Sequence, residues 1–367
     1  MANETCDPLT SVGPHTVRLA AVQAAPVWMD RAQTVHKAAR LVAEAAAQGA
    51  QLIGFPENFI PGHPTWYYYH SSSSRKSADL VIRLFQQSVD LSGHDLDEIR
   101  EAAAAHHIDV VLGVTERLPG TTGTLFNTQV FIDRSGAIAG KHQKLVPTRG
   151  ERLVHAPGDA ATQRSFRTGI GTVSSLVCGE NSNPLAIARV AAEYPLVHVS
   201  SWPSHFSRGW ANMRDASLMV SRSVAYTCGC FVILSASLNA KEMIEALDAS
   251  EEETAFMRDP AFTGGAAIID PVGRVIAGPL TGDKDAIACA DADLDLCIRS
   301  RASHDFAGHY NRSDVYQLRV NLDSRPLVSM NAGPPRDESP DYAVAARGEN
   351  TEQRAAGRGV AAGGDRA

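Results

Sequence analysis

An α/β fold is what this sequence predicts, on three observations. Short apolar runs of strand length recur along the chain, amphipathic stretches at helical spacing separate them, and glycine or proline marks the changeovers. At 367 residues and 44% hydrophobic content the chain is long enough to bury a large core. One domain over 17–331 accounts for it, with an N-terminal extension over 1–16 and a tail over 332–367.

Residues 17–23 read as a buried strand. Asp30 with Gln33 spells a helix start, Val35, Ala38, Ala39, Val42, Ala45 and Ala46 recur on one face, and Gly49 ends the helix before a strand over 51–55. That is a βαβ unit. Ser77 begins a second helix with Leu80, Val81, Leu84 and Phe85 on one side, and a third over 96–106 leads into a strand over 110–114. The loop 61–75, with Trp66, Tyr67, Tyr68 and Tyr69, is placed to shape a pocket or cover an oligomer interface. Residues 125–138 read as a hairpin. The second half repeats the alternation: strand 172–177, helix from Pro184, strand 196–200, helix 211–227, strand 231–236, then strands at 266–270, 274–277 and 286–290. From Ala332 onward large apolar residues are scarce, so the tail is expected to be disordered.

Formal charge is −7 with Lys and Arg scattered, so no basic stripe suggests a nucleic-acid partner. No run approaches the ~20 apolar residues of a membrane span, and the first residues lack a secretory leader's pattern. A cytoplasmic protein without a membrane partner is expected. The six cysteines (Cys6, Cys178, Cys228, Cys230, Cys289 and Cys297) have neither disulfide-framework nor CxxC spacing, which fits a reduced compartment. Cys228-Gly229-Cys230 sits where a helix meets an apolar run and reads as core packing. The acidic run from Asp291 to Asp295 lacks the glycine and closing glutamate of an EF-hand, and reads as a strand end and helix cap. With no phosphate loop and no HExxH, no cofactor or metal is expected.

Three segments carry chemistry. In Val177-Cys178-Gly179-Glu180-Asn181, Cys178 falls at a strand-to-helix turn, where backbone N–H groups and a helix N-terminus favour thiolate and supply donors to a developing anion. In Phe55-Pro56-Glu57-Asn58, Glu57 falls at the C-terminal edge of a buried strand, where desolvation raises a carboxyl toward the range of a general base. In Gly140-Lys141-His142-Gln143-Lys144, Lys144 precedes a proline-stopped apolar stretch, a place for a fixed ammonium that stabilises negative charge.

Taken together these segments resemble the nitrilase superfamily of carbon–nitrogen hydrolases, in which a Glu, a Lys and a Cys occur in this order and in these settings. The likeness runs from Val17-Arg18-Leu19-Ala20-Ala21-Val22-Gln23-Ala24 to Gly308-His309-Tyr310-Asn311-Arg312-Ser313-Asp314-Val315. Val111-Leu112-Gly113-Val114-Thr115-Glu116-Arg117, Asn127-Thr128-Gln129 and Gly265-Ala266-Ala267-Ile268-Ile269-Asp270-Pro271 lie between, in the expected order. The resemblance implies a four-layer αββα sandwich, with Glu57 as proton acceptor, Lys144 as charge stabiliser and proton donor, and Cys178 as nucleophile. It also implies an auxiliary role for Glu151, seven residues beyond Lys144, and places Trp202 and Gly179 at the substrate. Glu151 reads equally as a surface acid paired with Arg149 or Arg152, and Trp202 as a structural aromatic. A small-molecule nitrile is the implied substrate and a homo-oligomer, from a dimer to a spiral, the implied assembly. Amide or carbamoyl hydrolysis and cyanide hydrolysis are the alternatives within the superfamily, and a non-catalytic scaffold the alternative outside it. Gly179 stands where many relatives have Trp or Ala, which leaves the substrate's side chain open.

Overall fold

The computed structural model describes residues 15–205 and 212–322; residues 1–14 with Cys6, the start of the helix predicted from 211, and the predicted disordered tail lie outside them. In chain order the first half comprises β1 (Thr16–Ala24), α1 (Arg31–Ala47), β2 (Leu52–Gly54), α2 (Arg75–Gln87), α3 (Asp97–His106), β3 (Asp109–Arg117), β4 (Leu125–Ile132) and β5 (Ile138–Gln143). The second comprises β6 (Phe166–Thr168), β7 (Gly171–Val177), α4 (Pro184–Ala191), β8 (Val197–Trp202), α5 (Met213–Cys228), β9 (Phe231–Ser237), α6 (Lys241–Leu247), α7 (Glu251–Arg258), β10 (Ala267–Ile269), β11 (Val275–Ala277), β12 (Ala286–Asp293) and α8 (Asp295–His304).

Alternation along the strands builds four layers. In β1, Leu19 and Ala21 join Val111 of β3, Val197 and Val199 of β8, and Ile233 of β9 in one cluster, the core between two sheets. Their neighbours Ala20 and Val22 pack instead with Val35, Ala38 and Val42 of α1 and Ile99 of α3. On the far side Val232 and Leu234 of β9 pack with Ile187 and Val190 of α4 and Val224 of α5. Residues one apart on a strand thus serve two different cores, and the order is helices, sheet, sheet, helices. One sheet reads β12-β1-β2-β3-β4-β5 and the other β11-β10-β9-β8-β7-β6; the end of β1 stitches them, Gln23 and Ala24 pairing with Ala236 and Ser237. The predicted four-layer αββα sandwich is the observed fold.

Local chemistry sets the boundaries. Asp30 accepts the Gln33 N–H at 3.0 Å and starts α1, while Asn183 accepts the Leu185 N–H at 3.0 Å with Pro184 at the first helical position of α4. The second helix starts at Arg75 rather than at Ser77, because Ser74 is the cap and the Ser77 N–H is what it binds. The third helix starts at Asp97, with Leu96 as its cap residue. The strand predicted over 196–200 is shifted to Val197–Trp202, so Trp202 ends the strand instead of following it. The predicted hairpin is β4 paired antiparallel with β5, reaching Gln143 where 138 was expected. Helices α6 and α7 were not anticipated; of their residues only Met243, Ile244, Leu247 and Met257 are buried, too few for a clear stripe. Cys228 and Cys230 are both buried, as core packing requires. Among the described residues no helix is long and apolar enough to cross a membrane.

Candidate active site

Glu57, Lys144 and Cys178 arrive from the ends of β2, β5 and β7, the carboxyl edges where α/β sheets place their ligands. Glu57 lies three residues beyond β2 in a turn pinned by two backbone bonds, Phe55 N–H to Val111 O at 2.8 Å and Glu57 N–H to Trp202 O at 3.3 Å. Gly113 in β3 makes room for that turn: a Cβ there would stand 2.0 Å from Pro56 O and 2.9 Å from Asn58 N. A side chain at 113 would push Glu57 out of place. Lys144 directly follows β5, and its N–H donates to Asn127 O at 2.8 Å. Cys178 opens a short 3-10 turn, Cys178–Ser182, with φ of 50°, a left-handed conformation that costs energy in any residue with a side chain. Asn181 holds that elbow by donating to Leu176 O at 3.0 Å and Cys178 O at 3.1 Å, and His198 donates to Asn181 Oδ1 at 2.8 Å. Burial lowers the His198 imidazole to about 3, so it stays neutral.

The ammonium of Lys144 sits between two carboxylates, donating to Glu57 Oε1 and to Glu151 Oε2, each at 2.7 Å. All three side chains are buried to within 1% of complete. Asn127 spans the same pair, its Nδ2 donating to Glu57 Oε1 at 2.6 Å and to Glu151 Oε1 at 2.7 Å. Glu151 also accepts the Thr148 N–H at 2.8 Å and His155 Nδ1 at 3.1 Å. The surface-acid reading of Glu151 is therefore set aside: its partner is the buried Lys144, and neither Arg149 nor Arg152 pairs with it among the described contacts.

Burial pushes the Glu57 carboxyl up to about 7 against the pull of Lys144, with the Glu151 charge adding to the rise. Glu151 goes the other way: burial would raise it, but Lys144 and His155 hold it well below the ordinary carboxylate range. Burial would lower Lys144, yet the two carboxylates keep it well above its ordinary value, a fixed cation. Cys178 departs from the sequence expectation of a stabilised thiolate. Burial and then the Glu57 charge push the thiol well above its ordinary value, and Lys144 and the Gly179 N–H offset this only in part. At rest the Cys178 side chain is a neutral thiol.

Trp202 is buried and packs in the same cluster as Cys178; its indole N–H is spent on Ser200 Oγ at 2.8 Å. Gly179 is exposed, and a Cβ built there meets nothing within 4 Å. Tyr68, in the 3-10 turn Thr65–Tyr68 of the long loop, is half-buried; burial raises its hydroxyl, with Glu151, Cys178 and Glu57 close enough to act on it as charges. Sequence reasoning did not single out Asn127, His155 or Tyr68 as site residues. Thr148 and Glu151 had a readable signal, the T-x-x-E spelling in which the acid reaches back to the first N–H of a turn. Among the described residues no group of three His, Cys, Asp or Glu side chains converges as a metal cage.

The carbon–nitrogen hydrolase family model matches residues 18–302. The chain belongs to the carbon–nitrogen hydrolase family. Within it the chain is of the nitrilase type, being similar to curated nitrilases over most of its length. It is 34% identical over 319 residues to nitrilase 2 of an unknown prokaryotic organism, covering 86% of this chain and 96% of that one. It is 34% identical over 327 residues to the bromoxynil-specific nitrilase of Klebsiella pneumoniae subsp. ozaenae, covering 89% and 91%. The fold matches the crystal structure of a carbon–nitrogen hydrolase from Helicobacter pylori G27 with a TM-score of 0.64 at 18% identity, over 82% of this chain and 97% of that one.

Proposed function

We propose that this protein is a nitrilase, converting R–C≡N and two waters to a carboxylic acid and ammonia through a covalent intermediate on Cys178. The observation that carries the reading is the Lys144 ammonium gripped at 2.7 Å by both Glu57 and Glu151, within electrostatic reach of the elbow cysteine. Kinship with curated nitrilases favours a nitrile over an amide.

Glu57 Oε1 is committed to Lys144 and Asn127, while Oε2 is buried with no hydrogen-bond partner among the described residues. Oε2 receives the thiol proton as sulfur attacks the nitrile carbon. The nitrogen that gains the electron pair takes a proton from Lys144, giving a thioimidate, and the Gly179 N–H faces the same developing charge. Water adds to the thioimidate carbon, ammonia leaves with the proton from the new hydroxyl, and a thioester remains. Glu57 passes the thiol proton to Lys144, which restores the carboxylate and the ammonium. A second water, deprotonated by Glu57, then attacks the thioester carbon and releases the acid, and the departing sulfur takes that proton back as the thiol. Glu151 stays anionic throughout, holding Lys144 in place and favouring its return to the ammonium.

We also read the working form as a cytoplasmic homo-oligomer. Cys178, Cys228, Cys230, Cys289 and Cys297 are all unpaired, and exposed Leu185, Met219 and Tyr316 border a groove between α4, α5 and the segment 306–320. Light scattering on the purified chain tests the assembly.

Replacing Cys178 with Ala should abolish ammonia release across a panel of aliphatic, aromatic and arylacetic nitriles, cyanide and the matching amides, and should remove the mass adduct of trapped substrate. Turnover that survives in that variant overturns the assignment. Faster release from the amides than from every nitrile would move the substrate class to the amidase branch.

A further inference from the structure

Glu180 lies two residues beyond Cys178 and takes no part in the steps above, yet its carboxylate borders both reacting groups. Oε1 accepts the N–H of Leu145, the residue after Lys144, at 2.8 Å. Oε2 accepts the N–H of Val177, the residue before Cys178, at 3.0 Å and Nε2–H of His142 at 2.9 Å. The side chain is 8% exposed. Burial would raise its carboxyl, but the charge and hydrogen bond of His142 and the two backbone N–H groups hold it below the usual range, so the grip is that of a carboxylate.

Other bonds anchor the two segments separately. The Lys144 N–H goes to Asn127 on the neighbouring strand β4, and Asn181 with His198 ties the Cys178 elbow to β7 and β8. Lys144 therefore belongs to the first sheet and Cys178 to the second. Among the described residues the hydrogen bonds that join 141–146 to 176–182 all end on the Glu180 carboxylate.

We propose that Glu180 is a positioning residue for the reaction: by holding the Leu145 and Val177 N–H groups on one carboxylate, it sets the separation of the Lys144 ammonium and the Cys178 sulfur across the two sheets. The proposal rests on the assignment of Lys144 and Cys178 as reacting groups. A cation misplaced by an ångström stabilises a developing anion far less, while the pocket that binds substrate is untouched.

The test compares wild type with Glu180→Gln, Lys144→Ala and the double variant on a nitrile the wild type turns over. The glutamine keeps the shape but turns an NH₂ group toward one of the backbone donors. Its kcat should fall about 100-fold with KM within about threefold of wild type, since alignment is lost and binding is not. Single-turnover adduct formation at Cys178, read by intact mass, should be slowed by Glu180→Gln in the wild-type background and by less than about threefold further in the Lys144→Ala background. Losses that multiply in the double variant, a rise in KM in place of the fall in kcat, or a kcat within about threefold of wild type would each overturn the proposal. Should the glutamine variant fail to fold, Glu180→Asp decides. It keeps the charge and shortens the reach by one methylene; a lowered kcat at constant KM supports positioning, and full kcat in a folded Asp variant overturns it. The nitrilase reading has its own control. Turnover in Cys178→Ala removes that reading, whereas inactive Cys178→Ala and Lys144→Ala beside a fully active Glu180→Gln removes only the role of Glu180.

Discussion

Glu57 and Glu151 approach the same lysine from two regions of the fold, the turn after β2 and the 3-10 turn after β5. Each accepts from Lys144 Nζ at 2.7 Å, and each shares Asn127 Nδ2, at 2.6 and 2.7 Å. They titrate in opposite directions: Glu57 is raised to about 7, while Glu151 is held well below the ordinary range. Their shared partners cannot be the reason. Glu151 has two donors of its own, Thr148 N–H and His155 Nδ1, which occupy both its oxygens. Glu57 has both its donors on Oε1 and none on Oε2. A saturated carboxylate remains an anion and a half-bare one, desolvated, takes a proton. Hydrogen-bond supply, more than burial, separates the two carboxyls.

The comparison breaks most visibly at Glu57. Glu57→Gln keeps the Oε1 contacts but removes the proton acceptor, and should lower kcat by about 10³-fold or more. Lys144→Ala should be of similar size, since groups that act as one unit do not contribute additively. A loss under about tenfold in a folded Glu57→Gln variant would mean that another base serves the thiol.

A second expectation is the shape of the pH profile. Glu57 must be deprotonated to accept the thiol proton, so with its carboxyl near 7 kcat/KM should fall by about tenfold per pH unit below neutrality and level off above it. Glu151, held low, contributes no limb there, and Lys144 and Cys178, both raised, put any alkaline fall well above neutrality. An acid limb near 4, the ordinary range of a glutamate, would show that burial does not raise the Glu57 carboxyl.

Glu151→Gln should cost less, on the order of tenfold in kcat, because it weakens the hold on Lys144 without removing the base. Thiol attack should persist while hydrolysis slows, so a covalent adduct should build up on intact-mass analysis. The acid limb should also move to lower pH, since the Glu151 charge is one of the forces that raise Glu57. Wild-type turnover with no adduct and an unmoved limb would return Glu151 to a purely structural role.

How much of this was legible in the sequence follows from the range of the forces. Glu57, Lys144 and Cys178 could be singled out as candidates because each is fixed locally: Glu57 behind a proline at a strand end, Lys144 after a hairpin, Cys178 before a proline-opened helix. The alternation of apolar runs with amphipathic stretches showed a layered α/β fold, whereas the four-layer order came from the family resemblance; Leu19 and Ala20 are both apolar, and only packing assigns them to different cores. The protonation states were not legible. They depend on side chains brought together from 24 and 70 residues apart, as Asn127 is with Glu151 and Glu57, and on burial that overrides a turn's pull on Cys178. Trp202 shows the same limit on a smaller scale. Its ring was visible as an aromatic after an apolar run, but its carbonyl contact with the Glu57 N–H comes from the packing of one sheet on the other.

Asn127 offers the finest test, because it donates to both acids through one nitrogen. The bond to Glu57 is among the influences that lower that carboxyl, so Asn127→Ala should raise it further and move the acid limb to higher pH, opposite in sign to Glu151→Gln. Loss of the bond to Glu151 should matter less, since Lys144, Thr148 and His155 still occupy both its oxygens. The activity plateau at high pH should then drop only a few-fold, as with one buried hydrogen bond removed, while at pH 7 the loss is larger because more of Glu57 is protonated. A plateau and limb that fall together with no shift along the pH axis would mean that Asn127 only fills space between the two carboxylates. Limbs displaced in opposite directions by the two substitutions would establish that the proton affinity of Glu57 is set by the balance of a shared donor against a neighbouring charge.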